Sequence, residues 1–254
     1  MPYSIMLDAG HGGRDPGAVY NGRQEKDDTL ALTLAIGEIL QNRGINVEYT
    51  RTTDVYESPY QKAMEANASG ADFFISIHRN SYPTDNAVSG VESLIYDKSG
   101  IKLEMAENIN EQLEAVGFVN LGVKARPGLV VLRRTKMPAV LVEVGFINSD
   151  TDNQLFDDNF NDIALAIADA ILDTLDTGSG LPSSGYTVQA GAYRNQANAD
   201  RLVNELKGLD FPADIAVGGG LYRVTVGVFP TLDEAAAMER RLRQAGYQTV
   251  VISR

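Results

Sequence analysis

The chain has 254 residues, 44% of them apolar, enough to fill one large domain or two modest ones. It contains no cysteine, which excludes a disulfide framework and thiolate chemistry; any metal must be held by its two histidines and by carboxylates. The net charge of −12 sits in the first part of the chain, because from Tyr186 onward eight basic residues face seven acidic ones. An acidic body of this kind argues against a phosphate-backbone partner.

No apolar run is long enough to span a bilayer. Met1 to Gly10 has neither a basic region nor a long apolar core, so it does not read as a secretory leader. Ser4–Asp8 is a short apolar strand running into the glycine-rich stretch Ala9-Gly10-His11-Gly12-Gly13. The pattern predicts a helix over Leu30–Arg43, stopped by Gly44, and then a strand over Asn46–Tyr49. Ser58-Pro59 reads as the cap and first residue of a helix reaching about Asn67. Phe73–Ile77 is a buried strand that delivers His78. Met105, Ile109, Leu113 and Val116 share one face of a helix over Leu103–Val116. Ala139–Val142 is an apolar strand that delivers Glu143, and Ile163–Leu175 is a helix with apolar residues at i, i+4 spacing. This alternation predicts an α/β fold, a twisted central sheet flanked by helices.

The small, polar, turn-rich segment Asp176–Ser184 reads as a linker, dividing residues 1–175 from residues 185–254. The second part repeats itself at an offset of 36: Tyr186-Thr187-Val188-Gln189-Ala190-Gly191-Ala192-Tyr193 aligns with Tyr222-Arg223-Val224-Thr225-Val226-Gly227-Val228-Phe229. Each copy is followed by an Ala-rich helix, Asn195–Lys207 or Leu232–Gln244, and then by a strand, Ala213–Val217 or Thr249–Ile252. The expected order βαββαβ gives a small α+β domain, a four-stranded sheet with two helices on one face. Alternation puts Val188, Ala190, Val224, Val226 and Val228 toward the helices. It leaves Thr187, Gln189, Gly191, Arg223, Thr225 and Gly227 on the open face.

Both histidines follow apolar strands. Parallel strands bring their C-terminal ends to one edge of an α/β sheet, where ligands bind, so His11 and His78 are expected to converge. Two imidazoles and one carboxylate form a common catalytic zinc set, with water in the open position. Glu25 is the best third ligand by position; Asp8, Asp15 and Asp27 compete with it. A second carboxylate must act as base on the activated water, and Glu143 fits that need.

The motifs then gather into a family pattern. In order they are Leu7-Asp8-Ala9-Gly10-His11-Gly12-Gly13, Glu25-Lys26-Asp27, Thr50-Arg51 with Asp54, Ala66-Asn67, and Ala71-Asp72. Ser76-Ile77-His78-Arg79-Asn80, Gly90-Val91-Glu92, Val131-Leu132-Arg133 and Pro138-Ala139-Val140-Leu141-Val142-Glu143-Val144-Gly145-Phe146 follow. Across residues 3–175 the chain resembles the zinc-dependent N-acetylmuramoyl-L-alanine amidases of bacterial cell-wall hydrolysis. Lys62 departs from an arginine frequent in that family, and the departure points to a structural contact. The resemblance implies His11, Glu25 and His78 as zinc ligands, Glu143 as general base, and Asn80 and Arg133 as aids to substrate positioning. It implies hydrolysis of the amide joining N-acetylmuramic acid to the L-alanine of the stem peptide, in a surface groove.

Residues 186–254 resemble the SPOR domain, which implies binding to peptidoglycan glycan strands stripped of stem peptides, with Gln189, Arg223 and Thr225 as candidate contacts. The expected partner is therefore peptidoglycan, with no nucleic acid and no membrane. The expected place is the bacterial cell wall; the missing leader suits release from a lysing mother cell or a trimmed chain. The alternatives are a zinc peptidase or deacetylase of the wall, and a wall-binding protein without catalysis.

Overall fold

The computed structural model describes residues 3–178, 186–218, 221–229 and 232–253. It divides after Gly178 into two compact units. In the large unit the elements follow as β1 (Ser4–Ala9), β2 (Val19–Tyr20), β3 (Arg23–Gln24), α1 (Glu25–Asn42), β4 (Asn46–Tyr49), α2 (Pro59–Ser69) and β5 (Phe73–Asn80). Next come β6 (Val91–Ile95), α3 (Ile101–Val116), β7 (Asn120–Ala125), α4 (Val130–Arg134), β8 (Ala139–Phe146), α5 (Asp150–Asp158) and α6 (Phe160–Gly178).

Six strands form one sheet in the order β4-β1-β5-β8-β6-β7. The first four run parallel, and β6 turns antiparallel to β8 and carries β7 parallel beside it. Leu32 and Ile36 of α1, Ile109 of α3 and Ile167 of α6 belong to the core on one face. On the other face Ala66 of α2 and Val131 and Leu132 of α4 cluster with Met6, Phe74 and Leu141. The sheet is therefore covered on both sides, and function is left to its edges. Among the described residues no helix is long and apolar enough to cross a membrane.

Several boundaries differ from the sequence pattern, each for a local reason. The helix α1 begins at Glu25, not Leu30. The Glu25 N–H donates to the Ala18 carbonyl at 2.9 Å, and Glu25, Asp27 and Asp28 set negative charge on the positive end of the helix. A polar first turn is invisible to apolar periodicity. His78 and Glu143 lie within β5 and β8 rather than past their ends. The helix α6 runs on through Gly178, past the expected linker start at Asp176; residues 179–185 lie outside the described residues. The start of α2 matches expectation. The Gln61 N–H donates to Ser58 Oγ at 3.3 Å, and the Ser58 N–H donates to Gln61 Oε1 at 2.9 Å. The short elements β2, β3, β6, β7, α4 and α5 lie outside the expected set.

The small unit runs β9 (Tyr186–Tyr193), α7 (Gln196–Gly208), β10 (Ala213–Gly218), β11 (Leu221–Phe229), α8 (Leu232–Gln244) and β12 (Val250–Ser253). The order is βαββαβ and the antiparallel sheet reads β10-β11-β9-β12. Val188, Val224 and Val226 form its core with Val203 and Leu206 of α7 and Leu242 of α8.

Two register shifts in the β9–β11 pair break the expected alternation. Gln189 pairs Thr225 but Gly191 pairs Val224, so Ala190 is an extra residue. A Cβ on Gly191 would meet Leu202 of α7 at 3.0 Å, so Gly191 faces the helices and not the open side. The second shift falls between Val226 and Phe229, where Gly227 has φ +68°. Val228, expected inside, is 52% exposed, while Thr187, expected outside, is buried and donates to the Gly227 carbonyl at 2.6 Å.

Candidate metal centre and active site

His11, Glu25 and His78 converge at the C-terminal edge of the parallel strands, each with a ligand atom within 4.8 Å of the others. His11 leaves the end of β1 with φ 61°, a left-handed conformation that few side chains adopt. Its neighbours hold it there. Gly12 packs so closely that an added Cβ would lie 2.1 Å from the Val55 carbonyl oxygen. Buried Arg51 donates to the carbonyls of Ala9 at 3.1 Å and of Gly10 and Lys26 at 2.9 Å, stapling this turn to α1. Gly10 is needed for a different reason: a Cβ there would lie 2.4 Å from the His78 ring.

Glu25 opens α1 and is 3% exposed. Its Oε1 meets His78 Nδ1 at 2.9 Å and accepts from the Arg79 N–H at 3.0 Å. Its Oε2 meets His11 Nε2 at 3.1 Å and accepts from the Ala18 N–H at 2.9 Å. Burial alone would raise the Glu25 pKa, but the hydrogen bonds and charge of the two histidines hold it well below the carboxylate range. Burial likewise opposes charge on His11, yet Glu25 and Asp15 raise its pKa to about 9. The carboxylate therefore favours positive charge on the His11 side of the cluster.

The competing carboxylates are accounted for. Asp8 is buried beneath the site, 2.7 Å from Lys62 Nζ, and accepts from Thr50 Oγ1 at 2.7 Å and Ser76 Oγ at 2.6 Å. Lys62 also donates to the Ala9 carbonyl at 2.6 Å, so this lysine does make a structural contact. Asp15 meets His11 Nδ1 at 2.9 Å, on the ring nitrogen remote from Glu25. Such a partner fixes the tautomer that leaves Nε2 as the donor atom. Asp27 is exposed on α1 and stands outside the cluster.

Glu143 lies beside His78 across the β5–β8 pair, and opposite Glu92 of β6. Its Oε2 is shielded from solvent with no hydrogen-bond partner among the described residues. Burial raises its pKa to about 7, with Glu25 and Glu92 adding to the rise and His78 opposing it. Glu92 is held by Lys124 and by Asn80, whose Nδ2 donates to Glu92 Oε1 at 3.0 Å. Asn80 therefore reaches the site through Glu92. Arg133 is exposed on α4 and lines a different cleft, with Tyr96, Lys102 and Lys136; the structure does not bring it to the histidines.

A cleft of about 260 Å³ opens beside the cluster. Its lining includes His11, Asp15, His78, Glu57 and Lys62 together with the apolar Leu129, Val130 and Val131. Glu57 carries no motif and no periodic signal, and sequence reasoning missed it.

Residues 5–173 match the family model described as N-acetylmuramoyl-L-alanine amidase, and residues 182–253 match the SPOR domain. The chain is 39% identical over 214 residues to the sporulation-specific N-acetylmuramoyl-L-alanine amidase of Bacillus subtilis (strain 168), covering 81% of this chain and 82% of that one. The crystal structure of N-acetylmuramoyl-L-alanine amidase from Clostridium difficile 630 superposes with a TM-score of 0.65 at 31% identity, over 69% of this chain and 98% of the other. The catalytic domain of CwlV, an N-acetylmuramoyl-L-alanine amidase from Bacillus (Paenibacillus) polymyxa var. colistinus, gives 0.63 at 33% identity, over 68% and 98%. By its own match and by these relatives the chain belongs to the N-acetylmuramoyl-L-alanine amidase family, a peptidoglycan hydrolase carrying a SPOR domain behind its catalytic unit.

Proposed function

We propose that this chain hydrolyses the amide between N-acetylmuramic acid and L-alanine with a zinc ion held by His11, Glu25 and His78, and with Glu143 as general base. The carrying observation is the cluster itself: two imidazoles and one buried carboxylate, all donor atoms within 4.8 Å, beside Glu143, which pairs with His78 across the sheet. The donor set fits zinc, which takes nitrogen and oxygen ligands and in catalytic sites keeps one position open. When bound, the ion supplies positive charge that polarises the scissile carbonyl and acidifies a water.

The rest is done by protein groups. Asp15 orients His11, and the Arg79 and Ala18 N–H groups fix the Glu25 carboxylate. Glu143 takes a proton from water and returns it to the departing alanine nitrogen. Its raised pKa suits that exchange near neutral pH, although a bound dication lowers it. Glu92, tethered by Lys124 and Asn80, lies opposite Glu143 across the β6–β8 pair. In the small unit, half-exposed Gln189, Arg223 and Thr225 lie on the face opposite the core, and support a role in holding stripped glycan. Tethering such a module raises the local concentration of the groove at the wall.

The test is Glu143→Gln. It should retain zinc while wall hydrolysis falls by roughly 10²- to 10⁴-fold. Products should carry new L-alanine amino groups. Released acetate in their place would make the enzyme a deacetylase, and loss of zinc in the variant would make Glu143 a ligand.

A further inference from the structure

The side chain of Arg79 takes no part in the chemistry above, although the residue directly follows His78. Arg79 is 2% exposed. A guanidinium so buried is costly unless its charge and its N–H groups find partners. It finds them on two other elements. Its Nη1 donates to Asp28 Oδ2 of α1 at 2.6 Å, and its Nη2 donates to Asn153 Oδ1 of α5 at 2.8 Å. The guanidinium also lies over the Phe156 ring of α5, 4.3 Å from its centre. Arg23 of β3 completes the set. It donates to the same Asp28 oxygen at 2.7 Å, pairs with Asp157 of α5 at 2.7 Å, and stands 5.2 Å from the centre of the same ring.

These contacts bear on the cluster because of where they fall. Asp28 comes three residues after Glu25 in the first turn of α1, a spacing that makes the two neighbours on the helix surface. Arg79 therefore grips that turn twice, by its side chain at Asp28 and by its N–H at Glu25 Oε1, 3.0 Å away. His78 Nδ1 meets the same Glu25 oxygen at 2.9 Å. One bridge thus sets how far the carboxylate of α1 stands from the imidazole of β5. The planar fork of an arginine can reach two acceptors in fixed directions while lying flat on a ring; the point charge of a lysine cannot.

We propose that the Arg79 side chain is a positioning residue for the metal centre, clamping the first turn of α1 and the helix α5 to β5 so that Glu25 and His78 keep the spacing of a ligand pair. The clamp consists of protein groups alone; its effect on affinity rests on the zinc reading above. Partners behind metal ligands alter affinity by about 10- to 100-fold.

The experiment compares the full chain with Arg79→Lys, which keeps the charge but not the fork, and with Asn153→Ala, which removes one arm of the clamp at a half-buried position. In chelator-stripped protein the amide of residue 79 should exchange its hydrogen roughly tenfold faster in both variants, while the amides of α3 keep their rates. Competition titration should then show zinc affinity weakened by about tenfold or more. Asn153→Ala decides alone should the lysine variant not fold. Unchanged exchange at residue 79 overturns the clamp, and so does uniform acceleration of all amides, which would make Arg79 a source of general stability only. Local acceleration with unaltered zinc affinity overturns the positioning role. Local acceleration in variants of a chain that binds no zinc even unaltered would retain the clamp and sink the zinc reading instead.

Discussion

The two units treat polar groups in opposite ways. Among the described residues every buried polar or charged side chain except Thr187 belongs to the large unit. Asp8, Arg51, Lys62 and Arg79 are each 3% exposed or less, and each supports the turn or strand that carries a site residue. In the small unit the core is apolar, and its ion pairs, such as Lys207–Asp214 and Arg243–Glu239, lie near the surface. Chemistry at one bond needs a few atoms fixed to within a fraction of an ångström, and a buried polar scaffold provides that at a cost in desolvation. Holding a repetitive polymer needs a broad face whose contacts are individually replaceable. The large unit should therefore break at single positions, and the small unit should weaken by degrees.

The sharpest way to break that contrast is His78→Ala. Zinc content and wall hydrolysis should both fall to background, because two remaining donors do not complete the set. A fully active His78→Ala enzyme refutes the centre. Next in size is Lys62→Met, which leaves Asp8 buried without its cation and should cost about 3–5 kcal/mol in denaturant unfolding of the large unit. The double change Asp8→Asn with Lys62→Met should recover part of that loss. A single-variant loss below about 1 kcal/mol would mean that the pair is not what holds the turn under the site.

Acidity sharpens the contrast further. The His11 pKa is raised from 6.5 to about 9, so the stability it adds to metal-free protein is complete below pH 6.5 and is gone above about pH 9. Glu25 has the opposite sense: its depressed pKa adds stability above 4.5 that is lost as pH falls. Zinc must displace the His11 proton, so its apparent affinity should climb about tenfold per pH unit between 6.5 and 9. Competition titrations that show a flat profile would mean that His11 is neutral without metal. The smallest effect is expected at Gln189→Ala. Binding to peptide-stripped wall should weaken by less than about tenfold with the unfolding midpoint unchanged, as for one exposed contact among several. Complete loss of binding would show that the face relies on one residue, as the catalytic edge does.

Much of the catalytic edge was legible because apolar strands ending in chemistry-bearing residues are a strong signal. That pattern singles out His11 and His78, and Glu143 by its place after an apolar strand; the carboxylate choices gained their weight from the resemblance. Position favoured Glu25 but left Asp8, Asp15 and Asp27 open, and the resemblance then implied Glu25. The physical basis of that choice is three-dimensional: Asp8 points down to Lys62, Asp15 takes the other nitrogen of His11, and Asp27 faces outward. Glu92 stands in the motif Gly90-Val91-Glu92, but its ties to Lys124 and Asn80 are tertiary and were not legible, and nothing local marks Glu57. In the small unit the element order was readable, but the inside–outside pattern failed at Thr187, Gly191 and Val228. One extra residue in a strand reverses every side chain beyond it, and nothing around Ala190 announces the shift.

The pairing of β1 with β5 has a kinetic consequence. The strands that carry His11 and His78 are parallel neighbours, and α1, β4 and α2 must be laid down between them. Contacts this distant along the chain form late and slowly. On the proposed zinc reading, an unfolded or half-assembled chain offers the ion no complete set of donors, and binding is expected after the sheet has closed. Its stabilisation should then appear almost wholly as slower unfolding, with the refolding rate unchanged. Stopped-flow refolding and unfolding with and without zinc would show it, and a refolding arm accelerated by the metal would place the His11–His78 contact in the folding nucleus.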